Sequence, residues 1–225
     1  MKSRLSLYSG IFFVSAATLA YEVALTRIFS IALWYHFAFM VVSIAMLGIA
    51  ASGTFLSIYQ DAGRPERLGW YGLSLSLAIV LTYIISNYIP FDLVKLSWDK
   101  TQIIYIGLYY ILLGIPFFLS GLIILTALRY MAEEAGWVYF FDLIGASIGA
   151  VSILLILFLM GEGGTILAIS LIAIAGALLL GERGDRYLRY TATTVALLLI
   201  FLFIYRPSVF DVRISPYKGM MVALR

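Results

Sequence analysis

The sequence lacks cysteine, contains a single histidine, His36, and carries charge on only 12% of its residues. Without cysteine there is no disulfide, no thiolate metal ligand and no redox pair, and one histidine cannot supply a multi-histidine metal cluster. P-loop, dinucleotide-binding, zinc-protease and nucleophile-elbow motifs are absent from the sequence as well. The sequence therefore predicts no catalytic, cofactor-binding or metal-binding residues, and His36 is expected in water or bonded to backbone at the membrane interface.

Apolar residues dominate the composition. They make up 63% of the chain, and the mean hydropathy is +1.03. A soluble domain has about 45–50% apolar and about 25% charged residues. The composition therefore predicts an integral membrane protein, whose expected partner is the lipid bilayer rather than nucleic acid.

Long apolar runs predict an all-α, polytopic transmembrane bundle of about seven spans, because roughly 20 apolar residues cross the hydrocarbon core. The first run continues past the ~7–15 residues of a secretory signal and predicts a retained helix. Because it contains charges, this helix is expected to be tilted, broken or partly re-entrant. Residues 1–206 form the predicted membrane domain and 207–225 a short tail. The predicted spans are 7–33, 37–59, 68–89, 103–128, 138–160, 165–181 and 190–205.

The connections between the predicted spans are short and polar. Gly161–Gly164 reads as a tight turn, 182–189 as a charged loop, and 86–101 as an interfacial amphipathic segment. Every tryptophan falls at a predicted helix end, as expected for aromatic belts at the headgroup level. The tryptophans are Trp34, Trp70, Trp98 and Trp137.

The distribution of lysine and arginine predicts the orientation. If the N-terminus is cytoplasmic, eight basic residues lie inside and, before the tail, only Lys95 and Lys100 lie outside. This bias predicts a multi-pass protein of the cell membrane with a cytoplasmic N-terminus. With seven spans the chain from Arg206 to Arg225 emerges on the other side, where its four basic residues conflict with the same rule.

Glu22, Arg27 and Asp142 are the charged residues that the prediction places inside the membrane. Ionisable side chains there are costly and face the bundle interior or a cavity. Glu22 and Arg27 lie roughly 140° apart on an ideal helix, so either the helix is distorted or each has a partner elsewhere, and Asp142 is a candidate partner of Arg27. An ion pair that fixes helix packing is favoured over a proton or substrate pathway.

Small residues at a spacing of four predict close helix contacts. Gly145 and Gly149 form a GxxxG pattern, and Gly48 and Ser52 repeat the spacing on the second span. An intramolecular contact is favoured over a dimer interface. Pro116, in the middle of the fourth span, predicts a kink.

Four segments, in order along the chain, carry a family resemblance. Ser9-Gly10 precedes YEVALTR at 21–27, and AMLGIAASG at 45–53, DLIGASIGA at 142–150 and SPYKG at 215–219 follow. This order resembles membrane-bound spermidine synthase-like proteins.

The resemblance implies a membrane domain ahead of a Rossmann-like domain of the aminopropyltransferase or methyltransferase type. The substrate-binding residues of that domain have no counterpart here, and 207–225 resembles the linker to it. The expected function is thus an anchor or partner of such a domain or of a separate catalytic subunit. Two alternatives stay open: a small transporter for a polyamine or other cation, based on Glu22, Asp142 and the kinked span, and a structural subunit of a membrane complex, based on GxxxG.

Overall fold

The computed structural model describes residues 4–32, 37–91, 95, 98–182, 184–205 and 208–210, and the part of the chain that it describes is helical and contains no strand. The predicted all-α bundle is confirmed. Helices satisfy their own backbone hydrogen bonds, as a lipid environment requires. The helices are α1 (Arg4–Ala32), α2 (Phe37–Ile58), α3 (Leu68–Ser86), α4 (Thr101–Tyr130), α5 (Ala135–Leu180) and α6 (Arg186–Tyr205).

The helix count differs from the prediction. Six helices are long and apolar enough to cross a membrane, against the seven predicted spans. The predicted fifth and sixth spans both lie in α5, whose 46 residues are interrupted only at Gly161, with φ 68° and ψ −177°. That conformation is essentially confined to glycine, so one residue changes the chain direction without a separate loop. The two arms of α5 are residues 135–160 and 162–180.

The chain reverses direction between the two arms of α5. The hydroxyl of Tyr8, near the start of α1, donates a hydrogen bond to Glu134, which immediately precedes the first arm. The hydroxyl of Ser6, one turn away from Tyr8, donates to the carbonyl of Leu179 at the end of the second arm, at 2.8 Å. Both ends of α5 therefore lie beside the N-terminal end of α1, and the arms run antiparallel.

The two ends of the bundle differ in their basic residues. Trp70, at the start of α3, donates to Asp185 ahead of α6 at 2.9 Å, which places both at the N-terminal end of α1 together with the ends of α5. Among the described residues, this end carries Arg4, Arg64, Arg67, Arg129, Arg186 and Arg189, whereas Lys95 and Lys100 lie at the opposite end and Arg27 lies in the last two turns of α1 toward it. The arrangement is that of a multi-pass membrane bundle.

Three of the tryptophans lie at helix ends. Trp70 and Trp137 stand in the first turns of α3 and α5, and Trp98 precedes α4; all three are exposed. Trp34, His36 and the tail from residue 211 lie outside the described residues, as do residues 92–94 and 96–97 of the predicted interfacial segment. The described indoles stand where headgroups would meet the bundle.

Helix α1 lies at the centre of the bundle. Its Ile11, Tyr21 and Leu25 are fully buried, packed mainly against α5 and, further along, against α2 and α4. The outward faces of α5 and α6 are apolar as well, for example Phe158, which is 85% exposed. Apolar residues on both faces are expected of a bundle in lipid, where no hydrophobic gain distinguishes inside from outside.

The predicted packing residues lie at intramolecular helix contacts. A Cβ atom built on Gly145 would lie 2.3 Å from the carbonyl oxygen of Phe12, and one on Gly149 would lie 2.2 Å from that of Ala16. These contacts bring the backbones of α1 and α5 together. On the other side, Gly48 packs against Gly114 and Phe117 of α4, and Ser52 packs against Gly121.

Candidate functional site

A stripe of polar residues follows one side of α1. Its members are spaced three, four or seven residues apart, which places them on one helix face. We call this set the α1 polar stripe. It consists of Tyr8, Ser15, Thr18, Glu22 and Thr26.

The N-terminal end of the α1 polar stripe is tied to the start of α5. Tyr8 donates to Glu134, and the guanidinium of Arg4 forms an ion pair with the same carboxylate. The ring of Tyr8 stacks on Phe141, with 5.2 Å between centroids and an interplanar angle of 2°. The hydrogen bond, the ion pair and the ring contact close this end of the stripe against the first arm of α5.

The middle of the stripe contacts two helices. Ser15 Oγ donates to Asp142 Oδ1 of α5 at 2.5 Å. One turn further along, Thr18 Oγ1 lies 2.7 Å from Ser120 Oγ of α4. Helices α4 and α5 make few contacts with each other. The stripe therefore faces both helices, α5 through Ser15 and α4 through Thr18.

Glu22 belongs to this stripe, and its direction on the α1 helical wheel lies between those of Ser15 and Thr18. Its side chain is half-buried, and no described residue donates a hydrogen bond to its carboxylate or forms an ion pair with it. Only its backbone carbonyl is engaged, by Thr26 Oγ1 at 2.8 Å. A carboxylate within a membrane span is costly unless it is paired or solvated.

The predicted pairing of Arg27 with Asp142 was wrong. Asp142 lies beside Ser15, twelve residues before Arg27, which is about 18 Å along the helix axis. Arg27 is exposed and forms no ion pair with another described residue. The physical reason is depth: α1 and the first arm of α5 start from the same end of the bundle and run parallel, so residues early in each helix become neighbours.

Sequence reasoning found Glu22 and Asp142 but missed Tyr8, Ser15 and Thr18, which place Asp142 and flank Glu22. The signal was present, because the polar residues of α1 recur at helical spacing within an otherwise apolar run. Hydroxyl side chains carry little weight in a hydropathy argument. The partners of Ser15 on α5 and of Thr18 on α4 are what distinguish the stripe from scattered hydroxyls.

The remaining polar pairs inside the described bundle connect helices. Tyr21 and Thr82 hydroxyls lie 2.9 Å apart, and those of Ser76 and Ser170 lie 2.7 Å apart. In the described ranges, no group of three or more His, Asp or Glu side chains is placed to hold a metal ion. Glu22 and Asp142, the acidic residues predicted inside the membrane, thus both lie at the α1 polar stripe.

A second concave feature is apolar. A groove of about 230 Å³ opens between α2 and α4, where the small residues Gly48, Ala51 and Gly114 leave space beside Tyr110 and Phe118. Its lining carries no charged side chain. The groove therefore offers shape but no ionic chemistry.

The fold and the stripe together define the class: an all-α membrane bundle whose central helix carries polar and acidic groups. Comparison of the chain with protein families, curated proteins and solved structures found no match.

Proposed function

We propose that the protein is a membrane domain that binds or transports an organic cation, such as a polyamine, along the α1 polar stripe. Glu22 is the observation that carries this proposal. It is a half-buried carboxylate within a spanning helix, and the described residues supply it with no partner. An ammonium group attracts a carboxylate far more strongly in such a low-dielectric setting than in water.

The position of Asp142 supports a ligand with more than one amino group. Asp142 is bonded to Ser15, which precedes Glu22 by seven residues, or about 10 Å along α1. A linear cation with two separated amino groups would meet one carboxylate at each end of this stretch. The Ser15 hydroxyl leaves the second oxygen of Asp142 available to accept from a ligand.

Uptake by reconstituted vesicles tests this function. We expect the double variant Glu22→Gln/Asp142→Asn to lose roughly tenfold or more of the uptake of labelled putrescine or spermidine, because about 1.4 kcal/mol of ion pairing corresponds to a factor of ten. Glu133→Gln, at an exposed acid outside the spans, is the matched control and should behave as the wild type. Wild-type uptake by a folded double variant would refute the proposal.

A second candidate function follows from the resemblance to membrane-bound spermidine synthase-like proteins. We propose it as the alternative: the chain anchors or partners a catalytic domain of the aminopropyltransferase type. The segments 21–27 and 142–150, which carry much of the resemblance, belong to helices that pack on each other through Gly145 and Gly149. This packing is what a shared ancestral membrane domain would preserve.

The coding sequence beyond codon 225 and in adjacent genes tests the anchoring function. A catalytic domain in frame or next to the gene is the expected result, and its absence would contradict this alternative. A reporter fused at Arg225 adds the side of the membrane on which such a domain would lie. A cytoplasmic signal fits an enzyme with cytosolic substrates, whereas an external signal contradicts that use.

The structural-subunit alternative loses its motivation. It depended on the GxxxG pattern, and Gly145 and Gly149 face α1 of the same chain. We further propose that the end of the bundle with six described arginines faces the cytoplasm, because cytoplasmic segments are enriched in lysine and arginine.

A further inference from the structure

The chain that follows α6 folds back onto the end of the bundle. Residues Ser208–Phe210 form a short 3-10 turn, in which the Phe210 side chain is 5% exposed while the neighbouring Val209 is 40% exposed. The hydroxyl of Tyr83, a buried residue of α3, donates to the carbonyl oxygen of Phe210 at 3.0 Å. Both the ring and the backbone of Phe210 are therefore fixed.

The ring of Phe210 covers the reversal of α5. A Cβ atom built on Gly163 would lie 2.6 Å from the Cβ of Phe210, so no side chain fits between them. At the next residue, a Cβ on Gly164 would lie 3.5 Å from the ring of Phe203 in α6. The reversal is thus packed on one side by α6 and by the turn that follows it.

Gly161 itself contributes no packing that would hold the reversal. A Cβ atom built there would meet nothing within 4 Å, although its positive φ allows little besides glycine. Both arms pack on α1 further from the reversal, but beside Gly161 itself the restraint on their angle has to come from residues two or three positions away. Phe210 and Phe203 are placed to supply that restraint.

We propose that Phe210 is a clamp that holds the α5 reversal in place and couples it to the chain leaving α6. Withdrawal of the Phe210 ring from Tyr83 and Gly163 opens the α5 reversal. Conversely, a stabilised reversal keeps residues 208–210 packed against the bundle. The clamp also places residue 210 beside α3 and α5 rather than at the tip of α6. It does not depend on the proposed cation function.

The absence of native cysteine allows a direct test. A single cysteine introduced by Glu162→Cys, next to Gly161, reports the opening of the reversal through its reaction rate with a water-soluble maleimide in the full-length protein. We expect Phe210→Ala to raise this rate roughly tenfold or more, because truncating a buried phenylalanine removes most of its packing. Val209→Ala is the matched control and should leave the rate unchanged, since Val209 is largely exposed.

Two further variants separate a clamp from general unfolding. Tyr83→Phe removes the hydrogen bond to the turn but keeps the ring, and a smaller rise in the labelling of Glu162→Cys is expected. A second reporter, Glu133→Cys at the opposite end of the bundle, should not respond to Phe210→Ala. Equal rates in Phe210→Ala and Val209→Ala, or an equal rise at both reporters, would overturn the clamp.

Discussion

Replacing Gly149 with alanine probes the contact on which the position of Asp142 depends. Gly149 faces the backbone of α1, where a Cβ atom would lie 2.2 Å from the carbonyl oxygen of Ala16 and 2.8 Å from its Cα. Ordinary van der Waals contact begins at 3.4 Å. The helices must therefore separate by about 1.2 Å (3.4 − 2.2), because a backbone carbonyl in a helix cannot turn aside.

The expected cost follows from this separation. Overpacking a close-packed contact costs about 1–3 kcal/mol, and the better helix propensity of alanine offsets up to about 1 kcal/mol of it. Relative to a glycine-to-alanine change at an uncrowded position of the same helix, which has the same propensity gain, the loss of unfolding free energy is about 1–3 kcal/mol. The same shift moves the first arm of α5 away from Ser15, so the hydrogen bond to Asp142 weakens as well.

Unfolding by titration with sodium dodecyl sulfate in mild detergent measures this loss through the change in helix content. Gly136→Ala is the matched control on the same arm, because a Cβ atom there meets nothing within 4 Å. It should leave stability unchanged or raise it slightly. If Gly149→Ala were as stable as Gly136→Ala, the close contact between α1 and α5 would be refuted.

Three further predictions follow from single side chains. Gly161→Ala should destabilise the fold by about 1–2 kcal/mol in the same titration, because a left-handed backbone opposes a Cβ even where space is free; wild-type stability would contradict the reversal at this residue. Ser15→Ala should cost about 1–3 kcal/mol by leaving Asp142 without its donor, and Ser15→Ala/Asp142→Leu should recover most of it; no recovery would contradict the pairing. Hydrogen bonds, first from the Thr101 hydroxyl, lower the pKa of Asp99 below the ordinary carboxyl value. At a pH above the ordinary carboxyl pKa, Asp99 is ionised and stabilises the first turn of α4. Hydrogen-exchange protection of that turn should therefore fall as the pH drops through the lowered pKa of Asp99. In Asp99→Asn this pH dependence should be absent.

Helix positions were largely predictable. The second span was predicted at 37–59 and observed as Phe37–Ile58, because hydropathy and loop composition are local properties. The start of α6 was missed by four residues, since a charged loop was expected up to 189. Asp185 Oδ1 accepts the backbone N–H of Leu188 at 2.9 Å and so begins the helix within that charged segment.

The candidate site was predictable only in part. Glu22 and Asp142 stood out because charge is rare in an apolar span. Their surroundings did not follow from the sequence, because a helical wheel gives the direction of a side chain but neither the depth nor the identity of the neighbouring helix. The pairing assigned to Arg27 was wrong for this reason: the hydroxyl that reaches Asp142 belongs to Ser15.

By itself the sequence determined that this protein is a bundle of apolar helices for a lipid environment, where those helices lie along the chain, and which spans carry charge. These properties depend on composition and on neighbours a few residues apart. Only the tertiary structure decided that α5 reverses at Gly161, that Phe210 covers this reversal, and that the stripe carrying Glu22 contacts both α4 and α5. Those features depend on the relative depth and rotation of helices distant in sequence, which backbone contacts between small residues set once the bundle has assembled.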